Sequence, residues 1–225
     1  MQLKSFGCSF IFGTDLADDN TFRSSAMETA FASNNTWPAL LARHLGRDYS
    51  CHARPGSGNL QILEQVLNHA ASGDNTDLFV ISWSWIDRFD YYNPDHGDLA
   101  WHIWHTLTPG RNDSLAQNYY KNLHSEYRDK LTSLGYVKLA IDTLTQKGIP
   151  FLMTYMDNLL MDQQWHTTPA VLSLQEYIKP FLTQFEGQTF LDWSRAHGYP
   201  ESAGWHPLEA AHAAAFELVK DYSFS

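Results

Sequence analysis

Gly7-Cys8-Ser9-Phe10 closes the first apolar run of the chain and places a serine at the end of a predicted strand. A serine hydroxyl is a weak nucleophile until a neighbouring base takes its proton. Its backbone N–H can help hold the oxyanion that attack creates. The same serine can equally serve only to satisfy backbone groups at the strand end. A candidate base stands near the other terminus, in Gly204-Trp205-His206-Pro207. A histidine directly before a helix-starting proline lies in a loop, from which it can reach across a sheet. His212, inside an alanine-rich helical stretch, reads instead as a packing or supporting histidine.

Two further segments offer oxyanion donors. Arg54-Pro55-Gly56-Ser57-Gly58-Asn59 is a glycine-rich turn into a helix, with free N–H groups at the helix start and Asn59 as a candidate N-cap. It lacks the Gly-Lys-Ser/Thr ending of a P-loop and the third glycine of a dinucleotide fingerprint. Ser82-Trp83-Ser84 ends the most apolar strand, and the Ser84 hydroxyl is a candidate donor. Asp87 and Arg88 follow as a candidate ion pair at the rim. Trp83, Trp85, Phe89, Tyr91, Tyr92, Trp101 and Trp104 then crowd an aromatic insertion at about residues 85–112. Such side chains line a sugar- or lipid-binding pocket, or else close a small satellite core. Trp83, Trp85, Arg88 and Trp205 are the expected substrate contacts. His96, Asp98, His102 and His105 share the insertion, but their spacing matches no recognised metal motif, so no metal and no cofactor is expected.

The elements that must position these groups alternate in type. Strands are expected over residues 3–10, 49–53, 77–83, 150–155 and 189–193. Helices are expected over 36–46, 59–71, 114–146 with a break near Gly135, 176–185, and 207–222. Residues 15–35 read as a polar loop. Five strand–helix repeats predict an α/β protein with a five-stranded parallel sheet covered on both faces, as a single domain spanning 1–225. In such sheets ligands bind at the carboxyl ends of the strands, where Ser9, Gly56, Ser84 and the loop before His206 fall.

Composition narrows the partners. The 225 residues carry a formal net charge of −10, from 15 Lys+Arg against 25 Asp+Glu. The basic residues are scattered, so neither nucleic acid nor an anionic membrane is an expected partner. Two cysteines, Cys8 and Cys51, are too few for a disulfide framework. No signal peptide or membrane span is apparent, which makes a cytoplasmic location the expectation.

The four segments, in this order, resemble the four sequence blocks of SGNH (GDSL-like) hydrolases, especially uncharacterised members from phages and environmental bacteria. The resemblance extends to the Trp37-Pro38 helix and spans essentially the whole chain. It implies a flavodoxin-like three-layer fold and hydrolysis of acyl esters on carbohydrates or lipids. It also implies Ser9 as nucleophile, His206 as base, and Ser9, Gly56 and Ser84 as the oxyanion hole. Two positions depart from the pattern. Ser84 replaces the third block's asparagine, and Ala203 stands where the family has an aspartate three residues before the histidine. That aspartate orients the imidazole and stabilises its charged form. Glu201 is the candidate substitute, with a backbone carbonyl or Ser202 as alternatives. The same departures support a second reading, a non-catalytic module that binds carbohydrate or protein.

Overall fold

In a computed structural model that describes residues 1–18, 31–72, 74–93 and 104–222, four strands form one parallel sheet. They are β1 (Gln2–Phe6), β2 (Asp48–Cys51), β3 (Leu78–Trp83) and β6 (Phe151–Tyr155), in the order β2-β1-β3-β6. β3 pairs with both β1 and β6, and all six of its residues are buried. That central place is why its sequence is apolar without alternation. β4 (Phe89–Tyr92) and β5 (Trp104–Leu107) form a separate antiparallel pair.

Successive side chains of a strand point to opposite faces, and the two faces carry different helices. Phe79, Ile81, Trp83, Phe151 and Met153 join a core with α3 (Asn59–Ser72), α5 (Glu126–Lys147) and α6 (Pro169–Ile178). Leu78, Val80 and Leu152 join a second core with α2 (Trp37–His44), α7 (Phe190–Ala196) and α8 (Glu209–Val219). The result is a three-layer α/β/α arrangement, with α1 (Ser9–Phe12) directly after β1 and α4 (Ser114–Asn122) beside the β4–β5 pair. Among the described residues no helix is long and apolar enough to cross a membrane.

Several elements differ from expectation. The first strand stops at Phe6, and Ser9–Phe12 is helical. The expected fifth strand over 189–193 is helix α7. Thr189 caps it by accepting from Asp192 N–H, and Phe190 and Trp193 are buried three positions apart on one helical face. The outer sheet position is held instead by a single parallel bridge, where Thr183 N–H donates to the Met153 carbonyl at 2.7 Å. The long helical stretch breaks at residues 123–125, where Ser125 caps α5, and not at Gly135. The helix expected over 176–185 runs earlier, over Pro169–Ile178. α8 begins at Glu209, leaving Pro207 outside it.

The cap of α2 comes from a distance. Thr36 stands at the N-cap but makes no side-chain cap bond; Trp37 N–H donates to His212 Nδ1 at 3.2 Å. His212 is fully buried, and burial followed by the nearby His206 pushes its pKa down to about 3. His52 is pushed down to about 4 by burial, then by His69, Lys4 and Arg54. Both rings are neutral when folded but take up a proton near pH 6.5 when unfolded. Folding stability should therefore hold above about pH 6.5 and fall below it, by up to about 1.4 kcal/mol per pH unit for buried His212 until about pH 3, and by less for the partly exposed His52, whose share ends near pH 4. Urea unfolding at pH 7, 5.5 and 4 checks this, and His212→Gln should flatten the slope.

Candidate active site

β1 delivers the chain to Gly7 and Cys8, and Ser9 opens α1, a helix of four residues. Gly13 ends α1 in a left-handed conformation, and Asp15 follows with φ of 72°. Aspartate is among the few residues that tolerate that region. The left-handed residues Gly13 and Asp15 bring the chain back beside Ser9.

His206 sits on a tight loop. Ser202 N–H donates to the His206 carbonyl at 2.9 Å, and Leu208 N–H donates to the Pro200 carbonyl at 3.0 Å. Trp205 has φ of 65° at the tip. The loop carries the imidazole to Ser9, whose Oγ lies 2.9 Å from His206 Nε2. On the other side of the ring, His206 Nδ1 lies 2.7 Å from Asp15 Oδ2. A proton on Nδ1, donated to the carboxylate, leaves Nε2 to accept from the serine. The Ser202 hydroxyl also donates to Asp15 Oδ2, at 2.6 Å. Burial would raise the Asp15 pKa, but the Ser202 hydroxyl and then the His206 bond and charge outweigh it, so the carboxyl is held below its ordinary range. Gly204 makes room for this: a Cβ there would lie 2.8 Å from Asp15 Oδ2.

The acid behind the imidazole is thus Asp15, and not Glu201. Glu201 receives Arg195 Nε at 2.7 Å and Nη2 at 3.2 Å. That bidentate pair ties the histidine loop to α7 and turns the Glu201 carboxylate away from the ring. Ser202 does act beside the ring, though by bonding the aspartate. The polar run from 15 onward read as loop because it lacks apolar periodicity. The signal available was Gly13-Thr14-Asp15, a left-handed helix ending with a carboxylate two residues on.

The remaining candidates divide. Trp85 is half-buried, 5.5 Å from the Phe10 ring, and Phe10 meets the His206 ring edge-on at 5.2 Å. The Arg88 guanidinium lies over Trp85 at 4.6 Å and donates to the Ser57 carbonyl at 2.9 Å, so it pairs with ring and loop where Asp87 was expected. Trp205 is exposed, with Arg195 over its ring. Trp83 is a correction: it is wholly buried in the core and presents nothing to a substrate. Ser84 is a second correction, being buried with its hydroxyl unpartnered and beneath the surface. Asn59 holds it there, accepting from Ser84 N–H at 2.7 Å and donating to the Ser84 carbonyl at 3.3 Å. Asn59 therefore bridges to β3 and does not cap its own helix. Gly56 is exposed on the loop rooted beside the Ser9 turn, since Arg54 N–H donates to the Gly7 carbonyl at 3.1 Å.

The helix cap that Asn59 does not supply comes from Asp90 on β4. Its carboxylate accepts from Gly58 N–H and Gln61 N–H, both at 3.0 Å, and from the side chains of Gln61 and Thr106. Gly58 is required, because a Cβ would fall 2.6 Å from Asp90 Oδ2. The aromatic insertion is in part a satellite core: Phe89 and Tyr91 pack on Leu107, Ala116 and Tyr119. Its Trp101, His96, Asp98 and His102 lie outside the described residues. Among the described residues no group of three or more metal-ligating side chains is placed to hold an ion.

The fold is like that of solved G-D-S-L (SGNH-type) proteins. Among solved structures, a lipolytic protein of the G-D-S-L family from Veillonella parvula matches over 99% of this chain and 97% of its own, at 13% identity and TM-score 0.52. TesA matches over 97% and 96%, at 14% identity and TM-score 0.51. The acetyl xylan esterase Est2A from Butyrivibrio proteoclasticus matches over 98% of this chain and 63% of its own, at 12% identity and TM-score 0.50. No protein-family model and no curated protein sequence matches the chain.

Proposed function

We propose that the protein is a serine esterase that cleaves acyl esters through an acyl-enzyme intermediate. The observation that carries this reading is the continuous relay from Ser9 Oγ through His206 to Asp15, with contacts of 2.9 and 2.7 Å. His206 Nε2 takes the Ser9 proton as Oγ attacks the ester carbonyl. The Ser9 N–H, in the first turn of α1 where no intrahelical acceptor exists, and the Gly56 N–H stabilise the oxyanion. The imidazolium then returns its proton to the departing alcohol, leaving the acyl group on Ser9. A water molecule gives a proton to Nε2, attacks the acyl carbon, and releases the acid as Ser9 regains its proton. Asp15 stays ionised throughout and stabilises the imidazolium.

The solved structures of similar fold include proteins described as lipolytic and as an acetyl xylan esterase, which fits this reaction class. A fluorophosphonate should modify the protein once, at Ser9, within minutes, as intact mass and peptide mapping will show. The alternative, a binding module with an inert site, predicts no labelling at Ser9 at all. The buried Ser84 hydroxyl is the feature that favours that alternative, because it leaves backbone donors to hold the oxyanion.

A further inference from the structure

The loop Arg54–Ser57 has a second side. There it forms one wall of a cavity of about 400 Å³ whose opposite wall is β5 and the residues after it. That volume is in the range of small-molecule sites. Among its described lining residues are Arg54, Arg111 and His105, and none of those described is a carboxylate. A third guanidinium, Arg88, donates to the Ser57 carbonyl of the same loop. Both lining guanidiniums are partly engaged: Arg111 donates from Nη1 to the Thr106 carbonyl at 3.0 Å, and acids stand near each. Asp113 stands 3.8 Å from Arg111, and Glu64 interacts with Arg54 while accepting from Trp104 Nε1 at 2.8 Å. Asp90 is buried among its own four donors.

The rest of the lining is of another kind. Trp104 and Pro55 offer apolar faces, and Ser57, Gln61 and Thr106 offer hydroxyl and amide groups. Aromatic faces beside hydrogen-bonding side chains suit a sugar ring, and a guanidinium suits a carboxylate or phosphate. We propose that this cavity binds a saccharide bearing an anionic group. The inference rests on the esterase reading for its purpose: the sugar is the alcohol part of the ester, and the loop that holds it also carries Gly56.

Calorimetry on the wild-type protein tests binding without any turnover. Digalacturonate, glucose 6-phosphate and neutral lactose are titrated at low salt. At least one acidic saccharide should bind, at least ten-fold tighter than lactose, and which one binds identifies carboxylate or phosphate. Arg111→Gln should weaken that binding about ten-fold or more, as expected for loss of a charge-assisted hydrogen bond. Arg111 is mostly exposed, so its replacement should leave the fold intact. Arg54→Gln should act in the same direction, with thermal melting as the control for folding. Equal binding of lactose and the acidic sugars, no binding of either acidic sugar, or unchanged affinity in Arg111→Gln would overturn the proposal. Fluorophosphonate labelling of Ser9 is independent of all three results, so the esterase reading can stand if the anionic subsite falls.

Discussion

Asp15→Asn should lower kcat on a small activated ester by about 10,000-fold, the scale at which a buried triad carboxylate acts on its histidine. Asparagine keeps the size of the side chain and tolerates the left-handed backbone at this position. What it removes is the charge facing the imidazolium and the acceptor that fixes the proton on Nδ1. Asparagine can turn its NH2 toward Nδ1, which would hold the ring in the tautomer that cannot accept from Ser9. Glu201→Gln should change kcat by no more than a few-fold, because Glu201 binds Arg195 and not the ring. Equal losses in the two variants would sink the assignment of Asp15. Steady-state kinetics with thermal melts of both variants separates chemistry from folding.

The second large effect is on stability. Asp90→Ala should destabilise the protein by about 3–5 kcal/mol, the usual cost of stranding buried donors around a lost charge. Four donors converge on that carboxylate, two of them backbone N–H groups at the start of α3. Water cannot replace it easily, since Asp90 is buried between the helix and the β4–β5 pair. Asp90→Asn should lose less, as its carbonyl oxygen can still accept from part of the set. Urea unfolding of the three proteins at pH 7 gives the ordering, and a loss below about 1 kcal/mol in the alanine variant would show that the network is dispensable.

What was legible in the sequence, and what was not, follows from the range of the interactions. β3 announces itself because burial on both faces demands an unbroken apolar run. The structure brings Ser9 and His206 together, and their segments could be paired from block order alone. Residues 189–193 misled because a five-residue apolar window fits strand and helix equally, and the deciding bond, Thr189 to Asp192, is a cap. Asp15 was invisible for a different reason. Its role depends on two consecutive left-handed turns and on a serine 187 positions away. Ser84 and Trp83 show the reverse error, since a strand end that looks exposed in sequence holds Trp83 in the core and Ser84 under Asn59 at the start of α3.

The placement of Asp15 also has a kinetic consequence. Ser9 and Asp15 lie within one turn-rich stretch of the N-terminal segment, whereas His206 is 197 positions from the serine. Closing so long a span is among the slower events of folding, because contacts of high sequence separation carry the largest loop-closure cost. On the proposed mechanism, hydrolysis can begin only after α8 has docked and carried its preceding loop across the sheet. Recovery of activity on refolding should therefore lag behind recovery of helical signal, and any opening that lifts the C-terminal helix should silence the enzyme while most of its core is still folded.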